Sequence, residues 1–336
     1  MPNKPNARTV VRAKKRSQMQ KRQVGRSTLQ VAPLMFGGNV FGWTVDEATS
    51  FKLLDAFVFA GFNFIDTADV YSRWAPGNQG GESETIIGKW MKTRGSRDKV
   101  IVATKVGGDM TGRGEKDISR KWILEEVENS LRRLQTDHID LYQTHWDIET
   151  IPVEEPLEAY AELVKTGKVR FIGASNFAPA RLKAALEASA KHGYPRYESL
   201  QPHYNLVERE RFEKELEPLC LENQLGVINY YSLAAGFLTG KYRSESDLGK
   251  STRGAGAKKY LNHRGLKVLA ALDAVAEEYH STPAAVAIAW LIARPGVTAP
   301  IASATSIGQL DSLIAATKLE LSRDAIGRLD AASAWK

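Results

Sequence analysis

The chain reads as an α/β protein, and the fold it predicts is a (β/α)8 TIM barrel with an N-terminal β-hairpin and an additional C-terminal helix. Three observations predict it. Eight short strand-like segments are each followed by at least one segment of helical period. Most of those strands, VIVATKV among them, are unbroken apolar runs, as expected where both faces of a parallel sheet are covered. The strand ends, where such a barrel gathers its chemistry, carry polar residues where apolar ones would be the default. A doubly wound sheet would alternate in the same way, but no GxGxxG turn follows the first strand, as a dinucleotide site there requires.

Taken in order, residues 19–33 break short apolar runs with Gly and Ser turns, the pattern of a small hairpin, and residues 34–38 form the first barrel strand. Residues 46–60 are helical by period, with Phe51, Leu54, Phe57 and Val58 on one face. Strands at 62–65, 100–106, 139–144, 169–174 and 199–202 then alternate with helices at 82–92, 118–134, 157–166, 179–192 and 208–221. After a strand at 227–231 comes an interruption over 232–263, rich in Gly, Lys and Arg; loops this long are uncommon in a compact domain and usually functional. Helices at 265–279 and 283–293, a strand at 298–301 and helices at 307–316 and 323–332 complete the pattern.

Composition bounds the remaining possibilities. Hydrophobic residues at 43% and charged residues at 25% are ordinary for a globular protein and exclude global disorder. No run of apolar residues is long enough for a membrane-spanning helix. The single cysteine, Cys220, excludes an intramolecular disulfide and fits a reducing compartment. Its place in the apolar face of LEPLCLEN marks a buried structural thiol.

The net charge of +7 is unevenly placed: residues 1–22 hold eight Lys or Arg and no acid, leaving 38 bases against 39 acids in the rest. Residues 1–18 are therefore expected to be a disordered basic arm, and 19–336 one barrel domain. The near-neutral body gives no reason to expect a nucleic-acid or membrane partner. The arm lacks the apolar core of a secretory signal, so the expected location is cytoplasmic. The oligomeric state is left open.

At the strand ends stand Asp66 and Tyr71 after the second strand, Lys105 after the third, His145 after the fourth, Ser175 and Asn176 after the fifth, Gln201 after the sixth and Tyr230 after the seventh. Singly, Asp66 could cap a helix, Tyr71 anchor a loop and His145 sit satisfied in a core. Together, at successive strand ends, they read as a site. A lysine that closes an apolar run is costly to bury unless paired, and Asp66 on the neighbouring strand is its expected partner.

The segments that hold these residues, FIDTADVY, ATK, LYQTHW, GASNF, LQPHYN, YYSLAAGFLTGKY and IASATSIGQL, resemble in that order the aldo-keto reductase superfamily of NADP-dependent barrel oxidoreductases. The resemblance covers residues 20–332. It implies reversible reduction of a small-molecule aldehyde or ketone to an alcohol with hydride from NADPH, NADH being the alternative nucleotide. It also implies roles: Tyr71 as general acid, Lys105 and Asp66 as a buried pair beside it, and His145 as the group that orients the carbonyl. Ser175, Asn176 and Gln201 correspond to side chains that hold the nicotinamide carboxamide, and Tyr230 to the aromatic stacked on its ring. Ser232, Leu233 and Lys241 correspond to the pyrophosphate loop, and Ser303, Thr305, Ser306 and Gln309 to the adenosine-phosphate site. Well-known members often place Lys and Arg there to grip the 2′-phosphate; Ser303 and Gln309 stand at the corresponding places. Trp43, Arg73, Trp74, the glycine-rich stretch 107–116, Trp146 and Asp147 fall where the superfamily builds its substrate pocket.

The implied acid chemistry has a physical rationale. Hydride transfer leaves negative charge on the carbonyl oxygen, which needs a proton donor. A lysine beside a tyrosine stabilises the phenolate and lowers the phenol's pKa, and Asp66 keeps that lysine charged. On this reading the carboxylate and the phenol meet through Lys105 and are not direct partners. No metal site is expected, because His145 and Asp147 have no second histidine nearby. Nor is GGDMTGRG followed by the GK[ST] of a nucleoside-triphosphate loop. The alternative function within the same superfamily is that of the potassium-channel β-subunits, barrels that act as binding modules with the nucleotide as sensor and little turnover.

Overall fold

Apolar residues sort into two nested layers in the computed structural model, which describes residues 19–335. The basic arm expected over residues 1–18 lies outside the described residues. Strands β1 (Arg22–Gln23) and β2 (Gln30–Val31) pair antiparallel as the N-terminal hairpin. Eight strands then run parallel: β3 (Met35–Gly37), β4 (Phe64–Asp66), β5 (Ile101–Val106), β6 (Ile139–Thr144), β7 (Val169–Ser175), β8 (Tyr197–Gln201), β9 (Gly226–Val227) and β10 (Ile301–Ala302). Their spatial order is β10-β3-β4-β5-β6-β7-β8-β9. The ring closes where Val227 bridges Val297 and where Ile301 N donates to Asn229 O over 2.9 Å.

The helices are α1 (Glu47–Phe59), α2 (Glu82–Arg94), α3 (Arg120–Leu134), α4 (Glu154–Lys165), α5 (Pro179–His192), α6 (Glu217–Glu222), α7 (Gly254–Ala257), α8 (His263–Glu278), α9 (Pro283–Ile292), α10 (Ile307–Ala316) and the additional α11 (Arg323–Ala332). Several start where a side-chain oxygen accepts from the first-turn backbone: Asp46 before α1, Ser119 before α3, Asn262 before α8 and Thr282 before α9. The helix expected over 208–221 is interrupted. Phe212–Leu216 widens into a π turn before α6 begins. Pro218 has no N–H to return to the carbonyl of residue 214, so a regular helix cannot run through it. The interruption at 232–263 holds structure of its own, with 3₁₀ turns over Ala234–Thr239, Glu245–Lys250 and Lys258–Tyr260 around α7.

Alternation along the strands sets the layers, since every second residue faces the same side. Phe64, Ala103, Leu141, Ile228 and Ala299 pack inside the barrel against Val24, Leu29 and Val31 of the hairpin, which plugs the amino-terminal end. Two residues further along, Asp66, Lys105 and Gln143 continue the same faces as Phe64, Ala103 and Leu141, and all three are buried. His145 continues the Gln143 face to the mouth. The outward residues Ile65, Val102, Tyr142, Ile172 and Leu200 pack against helix faces such as Leu53, Leu54 and Phe57 of α1 and Ile87 and Trp90 of α2. An apolar floor thus lies beneath a polar layer, and the polar layer beneath the mouth.

Candidate active site

Lys105 is completely buried, and its three ammonium protons each meet an acceptor: Asp66 Oδ1 at 2.6 Å, Thr67 O at 2.8 Å and Tyr71 Oη at 2.8 Å. Satisfying all three donors offsets much of the desolvation cost of a buried ammonium. The structure corrects one expectation here, because Tyr71 Oη also donates directly to Asp66 Oδ2 over 3.0 Å. Carboxylate, ammonium and phenol form a closed ring of three contacts. The segment after β4 folds back tightly enough to allow it. Ser72 adopts φ of 72° and its hydroxyl donates to Phe41 O, which lays the Tyr71 ring over the end of its own strand.

A second expectation is reversed as well. Burial and the Asp66 carboxylate hold the Tyr71 phenol well above the usual tyrosine range, so the resting phenol is not acidified. The charge of Lys105 is already engaged by Asp66. Burial pulls Lys105 itself downward, and the Asp66 carboxylate opposes that pull. His145 is held well below the ordinary histidine value by burial and by the positive charges of Lys105 and Lys116, and is therefore neutral. Its ring centroid lies 6.1 Å from that of Tyr71 and stacks on Trp146 at 5.8 Å. Its Nδ1 is buried with no partner among the described residues.

The residues matched to the nicotinamide end join the same network. Gln201 Nε2 donates to Asp66 Oδ1 at 3.0 Å, and Ser175 Oγ donates to the Gln201 carbonyl at 3.0 Å. Asn176, at φ of 58°, donates from Nδ2 to His145 O at 2.9 Å and accepts at Oδ1 from the Tyr230 hydroxyl at 2.8 Å. Tyr230 is backed by His203, ring on ring at 5.3 Å and 17°. Its neighbour Tyr231 is exposed, with φ of 58°.

Further from Asp66, Ser232 is buried and receives a hydrogen bond from Asn229 Nδ2 at 3.1 Å, which pins the turn that Leu233 continues. Lys241 is exposed, its ammonium 5.0 Å from the centre of the Tyr242 ring. Ser303 donates to Asn39 Oδ1 at 2.6 Å, and Gln309 Oε1 accepts from the Thr305 backbone at 2.9 Å beside the Ser306 cap of α10. The α10 sequence IGQLDSLIAA holds no Lys or Arg.

Of the residues matched to the substrate pocket, Trp43 and Trp74 meet edge to face at 5.7 Å, and Trp74 lies 6.0 Å from Tyr71. Arg73 is turned onto its own loop, donating to Gln79 O at 3.3 Å. No sequence motif marks Arg253. This half-buried guanidinium comes from the long segment after β9, lies 5.6 Å over the Trp43 ring and bears on Tyr71 and Tyr231. The basic character of that segment was the available signal. Nor does a motif mark Asp69, a fully buried carboxyl pushed up to about 8 by burial and by the charges of Glu84 and Glu126. Among the described residues, no group of three or more His, Cys, Asp or Glu could hold a metal ion, and no helix is long and apolar enough to cross a membrane.

A parallel barrel with a buried ammonium, carboxylate and phenol at one mouth narrows the class to enzymes that work at the carboxyl ends of barrel strands. The model of the Aldo/keto reductase family matches residues 33–334, and the chain belongs to that family of oxidoreductases. It is similar to Aldo-keto reductase YhdN of Bacillus subtilis (strain 168), at 37% identity over 282 residues, covering 82% of this chain and 81% of that protein. Protein tas of Escherichia coli (strain K12) is 32% identical over 343 residues, covering 93% and 97%. A probable voltage-gated potassium channel subunit beta of Oryza sativa subsp. japonica is 33% identical over 299 residues, covering 87% and 89%.

Proposed function

We propose that this chain reduces aldehydes or ketones to alcohols, reversibly, with NADPH as preferred nucleotide and NADH as the alternative, residues 19–336 working as one barrel domain in the cytoplasm. The observation that carries this reading is the buried Lys105 ammonium, in contact with Asp66 and Tyr71 at once. The residues fit a dinucleotide. Neutral amides and hydroxyls (Ser175, Asn176, Gln201) and the Tyr230 ring would hold the nicotinamide. Lys241 and Arg253, with the turn at Ser232 and Leu233, would hold the pyrophosphate, and Ser303, Thr305 and Gln309 at the start of α10 would hold the adenosine phosphate. When bound, the nicotinamide supplies the hydride.

The protein's own part is the proton. Tyr71, kept protonated by its raised pKa, gives its hydroxyl proton to the oxygen that gains negative charge. To do so it exchanges its bond to Asp66 for one to the substrate. Asp66 keeps Lys105 and Gln201 as donors to Oδ1 and gives up only the bond at Oδ2. The phenolate left behind accepts from Lys105 Nζ, already 2.8 Å away. Neutral His145 donates from its imidazole to the carbonyl oxygen and fixes its approach, while Trp43, Trp74 and Trp146 wall the substrate and Arg73 stands at the rim.

Replacing Tyr71 by Phe is expected to lower kcat by about 10²–10⁴-fold, the usual contribution of a positioned proton donor, while nucleotide binding stays within about twofold. Near-normal turnover in that variant overturns the assignment. With neither Lys nor Arg in α10, the NADPH-to-NADH ratio of kcat/KM should be modest, and a clear NADH preference reverses the choice of nucleotide. Tight nucleotide binding without turnover across a panel of aldehydes and quinones would favour a channel-subunit role.

A further inference from the structure

We infer that the substrate carries a carboxylate about a ring's width from its carbonyl group, and that Lys116, held over Trp146 at the lip of the mouth, is the group that receives it. The inference rests on the carbonyl-reductase reading above. Lys116 Nζ lies 3.7 Å from the centre of the Trp146 ring. Trp146 stacks on His145, and His145 faces Tyr71, so ammonium, indole, imidazole and phenol form one continuous wall. A cation resting on an indole face keeps donors free for a further acceptor.

Lys116 forms no ion pair or hydrogen bond among the described residues. Glu115 and Asp117 flank it in sequence without pairing to it; Asp117 turns back to accept from Ser119 N at 2.7 Å. Asp147, next to Trp146, is taken by Arg181 through two bonds of 2.8 Å. Asp109, on the same loop as Lys116, is occupied by the backbone amides of Thr111, Gly112 and Gly114. Two further cations lie over aromatics at this mouth: Lys105 over Tyr71 is spent on Asp66, and Arg253 over Trp43 belongs to the segment after β9 that serves the nucleotide phosphates in this reading. Lys116 comes from the opposite side, after β5, and its charge is left for the substrate. Between the two stand Trp43, Trp74 and Trp146, which suit a flat, unsaturated carbonyl compound.

The test is a matched pair, 4-carboxybenzaldehyde and benzaldehyde, assayed on the full chain with NADPH and NADH both available. The wild-type protein is expected to favour the carboxylated aldehyde in kcat/KM by about five- to tenfold at low salt, through KM, with the preference shrinking as ionic strength rises. Lys116→Gln should bring the ratio of the two kcat/KM values close to one, and Lys116→Arg should keep it. Equal use of both aldehydes by the wild-type protein, or a ratio unmoved by Lys116→Gln, overturns the inference while leaving the reductase reading intact. Turnover of neither aldehyde by the wild-type protein counts against the reductase reading and removes the inference with it.

Discussion

Two buried carboxylates, one near each end of the barrel, are satisfied in opposite ways. At the amino-terminal end Asp140, the second residue of β6, accepts from Val102 N at 2.9 Å and pairs with Arg97 at 2.9 Å and Arg170 at 2.7 Å. Those guanidiniums remain partly in water, their side chains 19% and 44% exposed. At the mouth, Asp66 is met by an ammonium with no exposure at all and by two donors, Tyr71 and Gln201, that the proposed reaction can use. The first arrangement is solvated through its partners and has nothing to exchange. The second is sealed, so each change of partner acts at low dielectric, where it matters most.

Left-handed backbone occurs at both ends of the barrel. Turns leading into the amino-terminal end use Gly95, Gly167 and Gly193 at positive φ, with open space where a side chain would stand. Gln135 and Gln224 take positive φ in such turns as well, and the segments at the mouth put Ser72, Asn176, Tyr231, Ala234 and Ala235 there alongside glycines such as Gly107 and Gly236. Glycine adopts that conformation freely, whereas a residue with a side chain held there carries strain.

The largest effect that would break this contrast is at Lys105. Lys105→Met is expected to lower kcat by about 10²–10⁴-fold, and by stranding Asp66 to cost about 3–5 kcal/mol in chemical denaturation. Asp140→Asn should cost about 1–3 kcal/mol with kcat unchanged within about twofold, since it breaks hydrogen bonds far from the mouth. A drop in kcat there comparable to that of Lys105→Met would erase the distinction between the two ends.

The next effect sharpens the contrast through pH. Asp69 titrates near 8 in the fold and in the ordinary carboxylate range when unfolded, so between these values the native state holds a proton that the unfolded state has released. Stability must therefore fall as pH rises through that window, with a one-proton limit of about 1.4 kcal/mol per pH unit. Asp69→Asn should flatten this slope in urea titrations from pH 5 to 8, and an unchanged slope would assign it elsewhere. The smallest effect is at Tyr231. Tyr231→Gly relieves the left-handed backbone and should raise stability by about 0.5–1 kcal/mol by thermal melting.

The order of strands and helices was legible because each barrel strand is an apolar run, and the identities of Asp66, Tyr71, Lys105 and His145 were legible because polar residues interrupt those runs. What could not be read was how the side chains divide their bonds. The direct Tyr71–Asp66 contact depends on Ser72 at positive φ, which no residue type announces. Likewise Gln201 reads as a lone strand-end amide until its Nε2 is seen on Asp66. Arg253 was hidden for a different reason, since it sits in a loop where neither period nor burial marks one cation above another; Lys116 was in view only as the end of the glycine-rich stretch 107–116. The π turn before α6 was within reach, since Pro218 stands in plain view inside an otherwise regular helical pattern.

The seam between β9 and β10 is the thinnest join in the barrel, carried by the Val227–Val297 bridge and a few backbone bonds such as Ile301 N to Asn229 O. Tyr230 lies just beyond one side of that seam and Ser303 just beyond the other. A dinucleotide reaching from Tyr230 to Ser303 would lie across it, so the protein would gain mechanical closure from its own reagent. Amide exchange at Thr298 and Ile301 would then slow on nucleotide binding by the linkage that stabilises any bound state, and the empty barrel would be the form that breathes.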